Sequence, residues 1–244
     1  MAKLNPVFSG IKVEENVESY ASVRGVAGKT LLLLGIAVLS GIVSIIYFSE
    51  ALITNPFALF GCLIGAVIAA IVGQVSPKAA PVASVIYAAL EGAVLGLVSF
   101  IFESSIAGIV LSAVLITFTI FGVMLILYLT NIIRATERFM RVLFVVGLSM
   151  LVISLVYLIS FLINPTNVLI MALTNSPGLL ILIAGLTLVY AAFMLVFDFE
   201  NVKNIVANGF DKRYEWTAAL GLMVTIVWIY VKVLRILAIF ARRD

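Results

Sequence analysis

Seven long apolar runs, separated by short polar gaps, occupy the chain from Leu31 to Phe240. A helix needs about 20 mostly apolar residues to cross a hydrocarbon core of roughly 30 Å, and each run is of that order. The runs are too long for barrel strands and show no period-two alternation. The predicted class is therefore an all-α integral membrane protein with seven transmembrane helices. A composition of 64% hydrophobic and 11% charged residues excludes a soluble domain of this size. The spans fall near 29–49, 57–74, 81–102, 106–129, 141–163, 177–198 and 215–240. The organisation read from these is a cytoplasmic N-terminal tail, 1–28, and a transmembrane domain, 29–244. The tail is polar and carries no evident cleavable signal.

Charge sets the orientation. Lys3, Lys12, Arg24, Lys29, Lys78, Arg134, Arg138, Arg141, Lys203, Lys212 and Arg213 all fall on the N-terminal side, and the loops 50–56, 103–105 and 164–176 contain no basic residue. The positive-inside rule then places the N-terminus in the cytoplasm and the C-terminus outside, in a cell membrane. Asn55-Pro56, Pro81 and Ser176-Pro177 open spans two, three and six, where proline loses no helical bond and Asn or Ser can cap. Asn201–Ala207 can prolong span six, with Asn208-Gly209 as its stop. The apolar stretch 168–173 is too short to span and is expected at the interface. Small residues recur every four positions at Gly61, Gly65, Ala69 and Gly73, and at Ala88, Gly92 and Gly96. Such stripes let helix backbones approach closely, and tight internal packing is the expectation over a dimer interface.

Chemistry is narrowed by what is missing. The chain has no histidine and one cysteine, Cys62. Internal disulfides and histidine chemistry are excluded, so proton sensing falls to carboxylates and any bound ion would be a hard cation such as calcium. The net charge of +3 sits in loops and implies no nucleic-acid partner. There is no nucleophile motif, phosphate loop or pair of buried aspartates, so the chain is not expected to be an enzyme, and no cofactor is expected.

Ionisable residues inside a membrane are functional candidates, because each costs about 2.5–3.5 kcal/mol at the bilayer centre. Glu91 lies near the midplane of span three and Lys232 well inside span seven, and a Glu91–Lys232 pair is one way to accommodate both. Asp198 closes span six, an interfacial position by depth. Glu200, Lys203, Lys212, Arg213 and Glu215 follow it, and are expected to cluster at a cytoplasmic mouth as an ion gate or a solvated helix end. Glu50 and Glu103 are acids at the opposite face, able to attract cations.

Several segments resemble the Bax inhibitor family (transmembrane Bax inhibitor motif proteins), in its bacterial and archaeal branch. They are Asn5-Pro6, Tyr87-Ala-Ala-Leu-Glu91-Gly92, Leu195-Val-Phe-Asp198-Phe-Glu-Asn, and Glu215-Trp216 through Thr225 to Leu234-Arg235-Ile-Leu. The resemblance implies seven helices with the last one central and surrounded by the other six. It implies a pH-dependent calcium leak, sensed by two hydrogen-bonded aspartates on the last two helices. The first aspartate matches Asp198. The second position holds Thr225, which can hydrogen-bond a carboxylate but cannot titrate. The branch carries an acid where Lys232 stands, and a fixed positive charge in a pore opposes calcium.

The expected function is thus a pH-sensitive cation leak, with calcium bound only in transit and the bilayer as the constant partner. The alternative is a non-conducting regulator that binds membrane proteins or proteases in a stress response. A lysine in span seven and an acid in span three also fit a retinal protein, but those place the N-terminus outside.

Overall fold

The computed structural model describes residues 20–48, 56–164 and 176–241. Most of the N-terminal tail with Asn5-Pro6, together with Asn55, Glu50, the stretch 168–173 and residues 242–244, lies outside the described residues. Seven described helices are long and apolar enough to cross a membrane. They are α1 Val23–Val43, α2 Pro56–Val75, α3 Ala80–Ser105, α4 Ile109–Leu129, α5 Glu137–Ile163, α6 Pro177–Ala207 and α7 Tyr214–Ala241. A short π-helical turn, Ser44–Phe48, prolongs α1. In hydrocarbon every backbone amide must be satisfied inside its own segment, and helices of this length do so.

The helix ends follow local chemistry. Ser22 caps α1, its Oγ accepting from Gly25 N at 3.0 Å, so the helix begins well before Lys29. Thr136 caps α5 in the same way through Phe139 N. Pro81 and Pro177 lie in the first turns of α3 and α6, although Ser176 makes no capping bond with its side chain. Helix α6 runs through Ala207 and stops at Asn208, followed by Gly209 at φ 64°.

The last helix is central. Half of the α7 span is buried, against 6% for α5. Helices α1, α2, α3, α4 and α6 pack directly on α7, while α5 lies outside and packs chiefly on α6. The stripes of small residues divide between neighbours. A Cβ on Gly92 would fall on the backbone of Ala37, and one on Gly96 on the backbone of Gly41, so the α3 stripe lets α1 approach. Ser40 Oγ donates to Ala89 O at 2.5 Å across the same contact. On α2, Gly73 meets Leu220 of α7 and Gly65 meets Leu90 of α3, whereas Gly61 faces open space. The geometry is that of internal packing.

This contrast is testable. Gly92→Leu forces a bulky side chain into a backbone contact and is expected to cost about 3 kcal/mol or more. Gly61→Leu meets nothing and is expected to stay within about 0.5 kcal/mol of the native chain. Thermal unfolding in detergent, with size-exclusion profiles, measures both; equal behaviour would refute the close α1–α3 approach.

Candidate functional site

Because α6 continues past Asp198 to Ala207, the aspartate is not at a solvated helix end. Asp198 is 7% exposed, enclosed where α6 meets α7. Thr225 of α7, 5% exposed, brings its hydroxyl within hydrogen-bonding reach of the Asp198 carboxyl. The second carboxyl oxygen, Oδ2, is buried with no hydrogen-bond partner among the described residues. One turn before Thr225, Gly221 faces the same carboxyl. A Cβ there would lie 3.5 Å from Asp198 Oδ1 and 3.3 Å from Gln74 Nε2. Gln74 comes from the end of α2 and donates to Thr217 O at 3.4 Å, while Thr217 Oγ1 donates to Gly73 O at 3.2 Å. The site is therefore a meeting of α2, α6 and α7.

The other acids form no single mouth network. Glu215 opens α7 yet is 1% exposed. It accepts from Ser22 N at 2.8 Å and Ser22 Oγ at 3.1 Å, and forms an ion pair with Lys29 Nζ. Lys29 also lies over the Trp216 ring, 5.2 Å from its centre. Gly25 is required here, since a Cβ would fall on the Glu215 carboxylate. Next to this contact, Ala21 N donates to Phe210 O at 2.8 Å and Tyr20 bridges to Asp211. The start of α1 is thereby fastened to the α6–α7 turn. Glu200 sits apart, accepting from Tyr128 Oη at 2.8 Å and lying 3.7 Å from Lys203 Nζ. Arg213 is exposed on the connecting turn.

One further expectation needs correction. The ion pairs among the described residues join Lys29 to Glu215 and Lys203 to Glu200, so Glu91 and Lys232 do not pair. Glu91 is half-buried in mid-α3. Lys232 is half-buried on α7 with its ammonium 5.8 Å from the centre of the Trp228 ring, which offers a cation a favourable face. Glu103 has a structural role as well as a charge: its carboxylate accepts from Gly108 N at 2.6 Å and Val110 N at 3.0 Å, closing the start of α4. No cluster of three Cys, Asp or Glu residues able to hold a metal occurs among the described residues.

Sequence reasoning missed Ser22, Gln74 and Tyr128, and counted Lys29 only as an orienting charge. Gln74 had a signal, being an amide at the end of an apolar run. Ser22 and Tyr128 had none, because their partners lie far along the chain.

These features define a class: a seven-helix integral membrane protein with a buried carboxyl between its last two helices. The chain matches the family model described as Bax inhibitor 1 like over residues 5–242, and it belongs to that family. No curated protein and no solved structure matches it.

Removing one partner of a buried ion pair strands the other charge and costs about 3–5 kcal/mol. Lys29→Met is expected at the low end of that range, since Lys29 retains 16% exposure. Lys29→Met combined with Glu215→Gln is expected to recover part of the loss. A thermal-unfolding double-mutant cycle measures the coupling; strictly additive losses would show that the pair contributes nothing.

Proposed function

We propose that the chain is a pH-sensitive cation leak of the cell membrane, with calcium as the ion carried. The supporting observation is the Asp198 carboxyl, enclosed between α6 and the central α7 and set against the hydroxyl of Thr225. A carboxylate only accepts hydrogen bonds, whereas the acid also donates one. A single proton therefore changes what the α6–α7 contact can form, and so can bias two arrangements of these helices. Thr225 cannot titrate, so the response is that of one group and not of a coupled pair. Membership of the Bax inhibitor 1 like family agrees with this reading. The excess of basic residues on one side supports a cytoplasmic N-terminus and an external C-terminus. Calcium is cargo here, the bilayer is the partner, and no catalytic role is proposed.

One observation favours the second reading, a non-conducting regulator that binds membrane proteins or proteases. Lys232 puts a positive charge on the central helix without an ion-pair partner among the described residues. Such a charge opposes cation passage.

Purified protein in liposomes containing a calcium dye separates the two, with flux measured from about pH 6 to pH 8. Protein-dependent flux is expected, changing with pH along a one-proton curve. Asp198→Asn is expected to conduct without that pH dependence. Absence of flux from folded protein would favour the regulator, and a steep two-proton response would place a second titrating group beside Asp198.

A further inference from the structure

Helices α4 and α5 are consecutive, yet they share no run of contacts along their lengths. Each rests on α6 instead. Phe121 and Tyr128 of α4 pack their rings on Phe199, with centroids 5.5 and 5.6 Å apart. Phe139 of α5 packs on Phe193 at 5.7 Å, and Tyr190 Oη donates to Leu143 O at 3.2 Å. A lipid-facing groove floored by α6 therefore separates α4 from α5. At one end it is closed by the residues joining the two helices, and there the surface forms a cleft. Its polar lining includes Tyr128, Asn131, Arg134, Thr136, Glu200 and Lys203.

The charges of this cleft suit an anion. Glu200 is already engaged by the Tyr128 hydroxyl and by Lys203. Among the described residues Arg134 spends only its Nε, on Asn131 O at 3.2 Å, and makes no ion pair. Arg138 and Arg141 follow on the first turns of α5 and are exposed. The cleft lies at the end of helices apolar enough to cross a membrane, where lipid headgroups are expected, and the helices leading from it are themselves apolar. Basic pockets between helices at that depth recognise anionic headgroups.

We propose that this cleft and groove bind a phospholipid with an anionic headgroup. Arg134 and Lys203 hold the phosphate and the acyl chains lie between α4 and α5. Charge complementarity commits the site to this occupant, and the groove explains why α5 stands away from α4.

Full-length protein, stripped of lipid in detergent, is titrated with phosphatidylglycerol, and bound lipid is counted by native mass spectrometry. At least one tight phosphatidylglycerol is expected. Arg134→Gln with Lys203→Gln is expected to weaken it about tenfold or more, since charge-assisted bonds to phosphate are lost. Both residues are exposed, so the variant is expected to keep the native unfolding temperature. Arg213→Gln, a basic residue on the α6–α7 turn outside the cleft, is expected to leave binding unchanged. An equal loss with Arg213→Gln would mean diffuse surface charge and overturn the site. Equal affinity for phosphatidylcholine would overturn the demand for net negative charge. Displacement by inorganic phosphate at comparable concentration would make the ligand a free anion and overturn the lipid assignment. Undiminished binding by the double variant would overturn the roles of Arg134 and Lys203.

Discussion

Close backbone contact between α1 and α3 is the constraint on which the bundle depends. In lipid, burying another leucine gains little, because acyl chains are equally apolar. Helices are instead held by dispersion at short range and by polar groups that need partners. Ala37 and Gly41 of α1 meet Gly92 and Gly96 of α3, where no side chain larger than a hydrogen fits on the glycines. This joined pair offers α7 two anchors. Near one end of α7, Glu215 is bound by Ser22 and Lys29 of the α1 region. Further along, Tyr230 Oη and Ser99 Oγ of α3 lie 2.6 Å apart. Helix α7 thereby takes the centre, and α6 packs on it.

This arrangement distinguishes the acids by their partners more than by their depth. Glu215 is as deeply buried as Asp198 but has a lysine and a serine to hold its charge. Glu200 has a tyrosine and a lysine, and Glu103 spends its oxygens on backbone amides. Asp198 has one hydroxyl and one unmatched oxygen. A buried group with too few partners is where a protonation change has the most structural consequence.

Much of this was legible in the sequence. The count of spans, the helical class, the prolines at helix starts and the stop at Asn208-Gly209 depend on local properties: length, hydropathy and the chemistry of a helix end. The family resemblance placed Asp198 opposite Thr225, and the structure brings the two together. Depth along the span did not decide whether that residue is buried. An apolar run marks where hydropathy falls, not what packs against the helix there, and it is α7 that encloses Asp198. The Glu91–Lys232 pairing failed because position along a helix says nothing about the direction in which a helix face points.

The sequence by itself determined how many times this protein crosses the membrane, the helical character of each crossing and the few charges that need explanation. Each is encoded within a stretch about as long as one helix, because solvation by lipid acts on every segment separately. Tertiary structure alone decided which acid is neutralised and which is left with a hydroxyl, and that α5 stands away from α4. Those outcomes depend on helix rotation and crossing, which are set by contacts such as Gly25 with Glu215 and Gly92 with Ala37 between residues distant in the chain.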